Sequence, residues 1–209
     1  MEQLINNLKN RLQAPLPGID AQYRMAPVNR EKPVDLGAAA VNYRQSAVMV
    51  LFCLNQAQQW YIPLIERMAY EGVHSAQISF PGGKKEQTDP NLQHTALREC
   101  EEEIGMSDIK LIGPLTKLYI PVSRFVVQPY IGVCLTPSPV FKPHPREVNR
   151  VLHLPVDQLL NDKMMGRGEV PVQNAMRMNV PYFSLENKII WGATAMILSE
   201  LKEVMQTIS

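Results

Sequence analysis

Residues 46 to 54 run almost without interruption through apolar side chains, from Ser46 to Leu54, and a strand with that pattern is buried. A second apolar run, Trp60 to Ile65, follows the polar turn Gln56 to Gln59, so the two read as paired buried strands. Such a pair must be covered by other elements, and the rest of the chain supplies candidates.

Leu4, Ile5, Leu8 and Leu12 recur at helical spacing, which predicts an amphipathic helix over 2–13, stopped by Pro15, Pro17 and Gly18. Residues 14–40 read as an irregular arm punctuated by proline. A short strand at 78–80 runs into Pro81-Gly82-Gly83, and Leu92 to Ile104 reads as a helix closed by Gly105. Further strands are expected at 108–112, 116–121, 125–135, 149–154 and 176–183, with a last helix over 194–205. A helix, strands, a central helix, more strands and a final helix predict an α/β fold, an α/β/α sandwich whose mixed β-sheet carries helices on both faces. The expected division is residues 1–40 as N-terminal helix and arm and residues 41–209 as the main domain, one globular unit in all.

The 209 residues include 21 Lys and Arg against 20 Asp and Glu, a net charge of +1 that leaves no electrostatic footprint for nucleic acid or a membrane surface. The expected partner is a small molecule, and a homodimer is left open. Cys53, Cys100 and Cys134 are scattered in apolar surroundings, neither a disulfide framework nor a zinc spacing, so reduced thiols and a cytoplasmic setting are expected. No secretory or transmembrane stretch opens the chain, and the final residues are not a peroxisomal address.

On the helix over 92–104, Glu99, Glu102 and Glu103 stand at i, i+3 and i+4 and share one face with Thr95. Ala96, Leu97, Cys100 and Ile104 form an apolar stripe on another arc. Like charges so placed each destabilise a helix by roughly 0.2 to 0.5 kcal/mol, so three aligned glutamates invite a cation, and carboxylate oxygens suit Mg2+ or Mn2+. Upstream, Gly82 and Gly83 allow close backbone approach to a ligand, with free amides and Lys84 beside the carboxylate face. Cations that neutralise phosphate charge and donors that hold its oxygens are what phosphoryl chemistry requires.

Arg98-Glu99-Cys100-Glu101-Glu102-Glu103-Ile104-Gly105-Met106 matches the second half of the Nudix box, R-E-U-x-E-E-x-G-U with U apolar. The first half departs from it: Asp89 stands at the sixth position after Gly83 where Glu is usual, and one extra residue precedes Arg98. That insertion, together with Phe80-Pro81-Gly82-Gly83-Lys84, resembles the branch of the Nudix family that hydrolyses coenzyme A. Arg67, His74, Ile78 and Phe80 fall where that branch's signature has its Arg, His and apolar residues, although Ala76 replaces a usual glycine and Leu64-Ile65-Glu66 replaces Leu-Thr-x. Likeness extends over about residues 44–200.

The resemblance implies a Nudix fold and a metal-dependent cut of the coenzyme A diphosphate into 3',5'-ADP and 4'-phosphopantetheine. The alternatives are a pyrophosphatase for ADP-ribose or NADH, and a non-catalytic nucleotide sensor, although such modules commonly lose box glutamates that this chain keeps. By resemblance Glu99, Glu102 and Glu103 ligate Mg2+ or Mn2+, and Arg98 pairs with Asp89 or Glu86 to orient the helix. The base is Glu102, Glu103 or Glu147, and Arg67, His74, Gly82, Gly83 and Lys84 face substrate. Arg67 either meets the 3'-phosphate or makes an ion pair with its neighbour Glu66. His74 contacts phosphate or fixes the glycine loop, and Glu147 is either the base or a surface residue beside Arg146. His144 and His153 have no partner at recognisable spacing and read as structural.

Overall fold

The computed structural model describes residues 1–27, 30, 32, 43–68, 77–171 and 177–208. Strand β1 (Arg44–Leu54) lies at the centre of an eight-stranded sheet. On one side it runs parallel to β7 (Phe125–Cys134), from Arg44 opposite Phe125 to Phe52 opposite Val133. On the other side it is shared by two antiparallel partners. Its first half takes β4 (Gly82–Lys84) and its last residues take β2 (Trp60–Arg67). Strand β3 (Ile78–Ser79) and β8 (Val148–Pro155) pair with β2, while β5 (Ile109–Pro114) and β6 (Leu118–Ile120) pair with β7.

Successive side chains of a strand point to opposite faces, and β1 feeds two cores. Ala47, Met49, Leu51 and Cys53 pack with Ala96, Cys100 and Ile104 of α3 (Leu92–Ile104). Val50 and Phe52 join Met196, Ile197 and Leu201 of α5 (Gly192–Gln206) on the other face. Full burial of one such side chain is worth about 1.5–3 kcal/mol. The sheet is therefore mixed and sandwiched between helices, as expected.

The opening helix α1 (Glu2–Gln13) has the expected bounds, and its Ile5 and Leu8 lie in the core with α5. The arm after it is not irregular throughout: α2 (Gly18–Tyr23) was not foreseen, being too short for its apolar periodicity to show. Its buried Gln22 donates to Glu200 Oε2 at 2.8 Å and to the Thr116 carbonyl at 2.9 Å, tying it to α5.

A separate three-stranded antiparallel sheet holds β9 (Met165–Pro171), β10 (Arg177–Leu185) and β11 (Lys188–Trp191). It is preceded by α4 (Val156–Leu160) and a 3-10 turn, Asp162–Met164. β9 escaped the sequence reading because it carries Gly166 and Gly168, which the Tyr182 ring covers; a Cβ at Gly166 would lie 2.7 Å from that ring. Of the strand expected at 176–183, residue 176 lies outside the described residues. No helix among the described residues is long and apolar enough to cross a membrane.

Candidate active site

Helix α3 starts where Asn91, extended at φ -156, accepts a hydrogen bond on its side chain from the His94 amide at 2.9 Å. It ends at Gly105, left-handed at φ 71, whose amide reaches the Glu101 carbonyl at 2.8 Å. The last carbonyls also take the loop that follows β7. The Lys142 amide donates to Ile104 and the His144 amide to Glu103, each at 2.9 Å. This docking brings Glu147 to the carboxylate end of the helix, and the Glu147 carbonyl accepts from the Met68 amide at 2.9 Å, just past the end of β2. The ends of β2, α3 and the 142–147 loop converge there.

Glu103 is almost sealed from solvent. Its Oε2 accepts from the Gly82 amide at 2.8 Å, and its Oε1 lies 3.0 Å from Arg67 Nη2. Burial pushes its carboxyl up to about 7; Arg67 and the Gly82 amide oppose the rise, and the charges of Glu99 and Glu147 add to it. Glu99 is also raised by burial, against the pull of Arg98. Glu102 is half exposed, and its Oε2 accepts from Arg98 Nη1 at 2.9 Å.

Arg98 pairs with Asp89, as the resemblance implied. Asp89 also accepts from the Glu86 amide, His94 and Thr95, so this loop acid is the anchor of a network. Arg98 holds the Asp89 carboxyl far below the usual carboxylate range. Its Nη1 turns the other way, 3.0 Å from Glu99 Oε1. Its Nη2 also reaches the Lys84 carbonyl at 3.2 Å, so Lys84 serves the site at least through its backbone.

Gly82 and Gly83 belong to strand β4 rather than to a free loop. A Cβ at Gly82 would come 2.4 Å from the Ala47 carbonyl oxygen, and one at Gly83 would come 2.3 Å from Glu99 Oε1. Absent side chains thus let the strand seat against β1 and leave room for the Glu99 carboxylate.

Arg67 does not pair with Glu66. Neighbours on a strand face opposite ways, and Glu66 takes Arg150 at 2.7 Å and Lys188 at 2.9 Å instead. Sequence reasoning missed the Arg67 to Glu103 contact because only the fold joins these positions. His144 lies near Glu147, with Nδ1 3.6 Å from Oε1, which is too far for a hydrogen bond. His153 stacks on Tyr61 with ring centroids 4.4 Å apart. His74 lies outside the described residues.

Among the described residues no three carboxylate, imidazole or thiol groups already stand together as a cation cage. The reason is visible: Arg98 draws Glu99 and Glu102, while Arg67 draws Glu103. The donor set nevertheless fits a hard divalent ion, since it offers carboxylate oxygens, those of Glu99 and Glu103 largely withdrawn from water.

The model of the NUDIX domain matches residues 43–173. The chain belongs to the Nudix hydrolase family. It is similar to the human mitochondrial coenzyme A diphosphatase NUDT8, 30% identical over 73% of this chain and 65% of that protein, just under two thirds of the human length. It is also 29% identical to the uncharacterized Nudix hydrolase NudL of Pectobacterium atrosepticum, over 76% of this chain and 81% of the relative. In fold it resembles the crystal structure of the Nudix hydrolase RenU from M. smegmatis, with a TM-score of 0.54, 13% identity, and 88% and 95% of the two chains covered. The mixed sheet between helices is thus the Nudix fold.

Proposed function

We propose that this Nudix hydrolase cleaves the diphosphate of coenzyme A or its derivatives, releasing 3',5'-ADP and 4'-phosphopantetheine or its acyl form. The observation that carries the reading is the 30% identity to a protein named as a coenzyme A diphosphatase. The Phe80-Pro81-Gly82-Gly83-Lys84 run and the acid at position 89, which resemble that branch, support it.

Glu99, Glu102 and Glu103 would hold Mg2+ or Mn2+, which when bound supplies Lewis-acid help to the diphosphate and acidifies water. The protein's own groups do the rest. Arg98, fixed on Asp89, sets the angle of the carboxylate face and is a positioning residue. By the resemblance, Gly82, Gly83 and Lys84 would face the phosphate oxygens, although the Gly82 amide is already taken by Glu103 rather than free as the sequence suggested. Glu102 and Glu103 are each gripped by an arginine, whereas the Glu147 carboxylate has only His144 within ion-pair range among the described residues. Glu147 is therefore the best-placed group to take the proton of the attacking water. As water's oxygen bonds to phosphorus, the bond from that phosphorus to the bridging oxygen breaks, and the bridging oxygen leaves with the other phosphate.

The test is a panel of coenzyme A, acetyl-coenzyme A, dephospho-coenzyme A, ADP-ribose and NADH, incubated with Mg2+ or Mn2+ and read by product mass. The expected products are 3',5'-ADP and the phosphopantetheine partner, with coenzyme A compounds turned over fastest. Preference for ADP-ribose or NADH would overturn the assignment, and no turnover of any compound would favour a sensor.

A further inference from the structure

Arg67 ends β2, where the register against β8 shifts between Glu66 and Arg67, an irregularity of the kind that re-aims a side chain. Its Nη2 donates to the Gly82 carbonyl at 3.0 Å and lies 3.0 Å from Glu103 Oε1. One positively charged nitrogen thus bridges a carboxylate oxygen and a backbone carbonyl oxygen, and that pair of donors is also what a hard divalent cation takes. The Glu103 side chain is 2% exposed and that of Arg67 27%, so the contact is made largely out of water. A bare carboxylate in that place would be costly, and the guanidinium supplies the compensating charge. A divalent ion and this nitrogen exclude each other from one oxygen pair, by bulk and by like charge.

We infer that Arg67 is a built-in counterion that occupies the cation position between Glu103 and the Gly82 carbonyl, and that a divalent ion must displace it to enter. The inference rests on the reading that the box glutamates hold the metal. Two consequences follow. Metal binds more weakly than the oxygen donors alone would allow, because an existing pair is broken first. The displaced guanidinium is released beside the phosphate position, where its paired N–H groups suit a phosphate. Substrate that holds Arg67 in its displaced place therefore tightens metal binding, and metal tightens substrate binding by the same factor.

The experiment is a Mn2+ titration of the full chain at about pH 8.5, well above the ordinary carboxylate range, without substrate and with free Mn2+ read by electron paramagnetic resonance. Arg67→Met is expected to bind Mn2+ about tenfold tighter than wild type, a change of 1.4 kcal/mol. Arg67→Lys, which keeps the charge but cannot span both oxygens in the same way, is expected to fall between. Equal or weaker binding in the variants overturns the inference while leaving the metal reading intact. A wild-type chain that binds no Mn2+ takes both down. Should Arg67→Met fail to fold, the wild type answers alone. The arginine side-chain NMR signal that Arg67→Lys deletes should change on saturation with Mg2+ as the guanidinium leaves Glu103, and an unmoved signal overturns the inference.

Discussion

Arg98 and Asp89 meet through two side-by-side contacts, Nε to Oδ1 at 3.1 Å and Nη2 to Oδ2 at 3.0 Å, with the Asp89 side chain at 0% exposure. The shared geometry fixes both partners, because a guanidinium edge matches a carboxylate in only one relative orientation. The loop after β4 is thereby locked to the outer face of α3.

Breaking a buried pair by removing one partner costs on the order of 3 kcal/mol, so Asp89→Ala should lose about that much stability in urea unfolding near pH 7. Its acid response should change as well. Arg98 depresses the folded-state carboxyl, so its contribution is complete above the unfolded value of about 3.9. It is lost as pH falls through the folded value. Wild type should therefore lose more stability than Asp89→Ala as pH drops below about 4. Parallel curves for the two proteins would show that the pair contributes nothing.

The two glycines of β4 should respond oppositely to alanine. At Gly82 the new Cβ meets the Ala47 backbone oxygen at 2.4 Å, and backbone cannot step aside. Gly82→Ala should cost more than about 2 kcal/mol or fail to fold. At Gly83 the obstacle is the movable end of Glu99. Gly83→Ala should keep its melting temperature within a few degrees and lose most of its activity, because the carboxylate is pushed aside. Thermal unfolding together with a rate assay separates these outcomes.

Glu102→Gln and Glu103→Gln should each lower turnover by at least about 100-fold, since each removes an oxygen charge used in the transition state. The half-exposed Glu102 should do so with no measurable loss of stability. Near wild-type rates in either purified variant would refute the assignment of the carboxylate face.

Mn2+ that binds only the folded chain should raise its unfolding free energy, by about 2.7 kcal/mol at a hundredfold excess over Kd. The melting temperature should rise accordingly, and less so in Glu99→Gln. An equal rise in both proteins would locate the ion elsewhere.

The parts of the site that are local in sequence were legible from it. Helix α3, its Gly105 end and its carboxylate and apolar faces follow from spacings of a few residues, and Asp89 is one of the two partners of Arg98 that the resemblance implied, whereas the Asn91 cap went unread. What was not legible depends on strands meeting: Arg67 reaches Glu103 only because β2 and α3 flank the same glycine strand, and Glu147 arrives only because its loop caps the helix. β9 was hidden by its own glycines, whose partner Tyr182 lies on the next strand. The short helix α2 is held by Gln22 on Glu200, a contact between distant stretches that local periodicity does not record.

The seating of α1 bears on how the chain is made. Arg11 Nε donates to Thr207 Oγ1 at 2.8 Å across 196 positions of sequence, and Ile5 and Leu8 share a core with Val204 and Met205. At a synthesis rate of about 5–20 residues per second, the first helix waits roughly ten to forty seconds for the last of the surfaces it rests on. Strand β5, with Leu12 against Gly113, can cover part of the helix's oily stripe earlier, but the part that meets α5 is uncovered for that interval, and truncated chains that stop before α5 leave it so for good. Such fragments should precipitate where the whole chain does not, and the order of emergence from the ribosome, more than the strength of any finished contact, decides when this protein is most vulnerable to sticking to its neighbours.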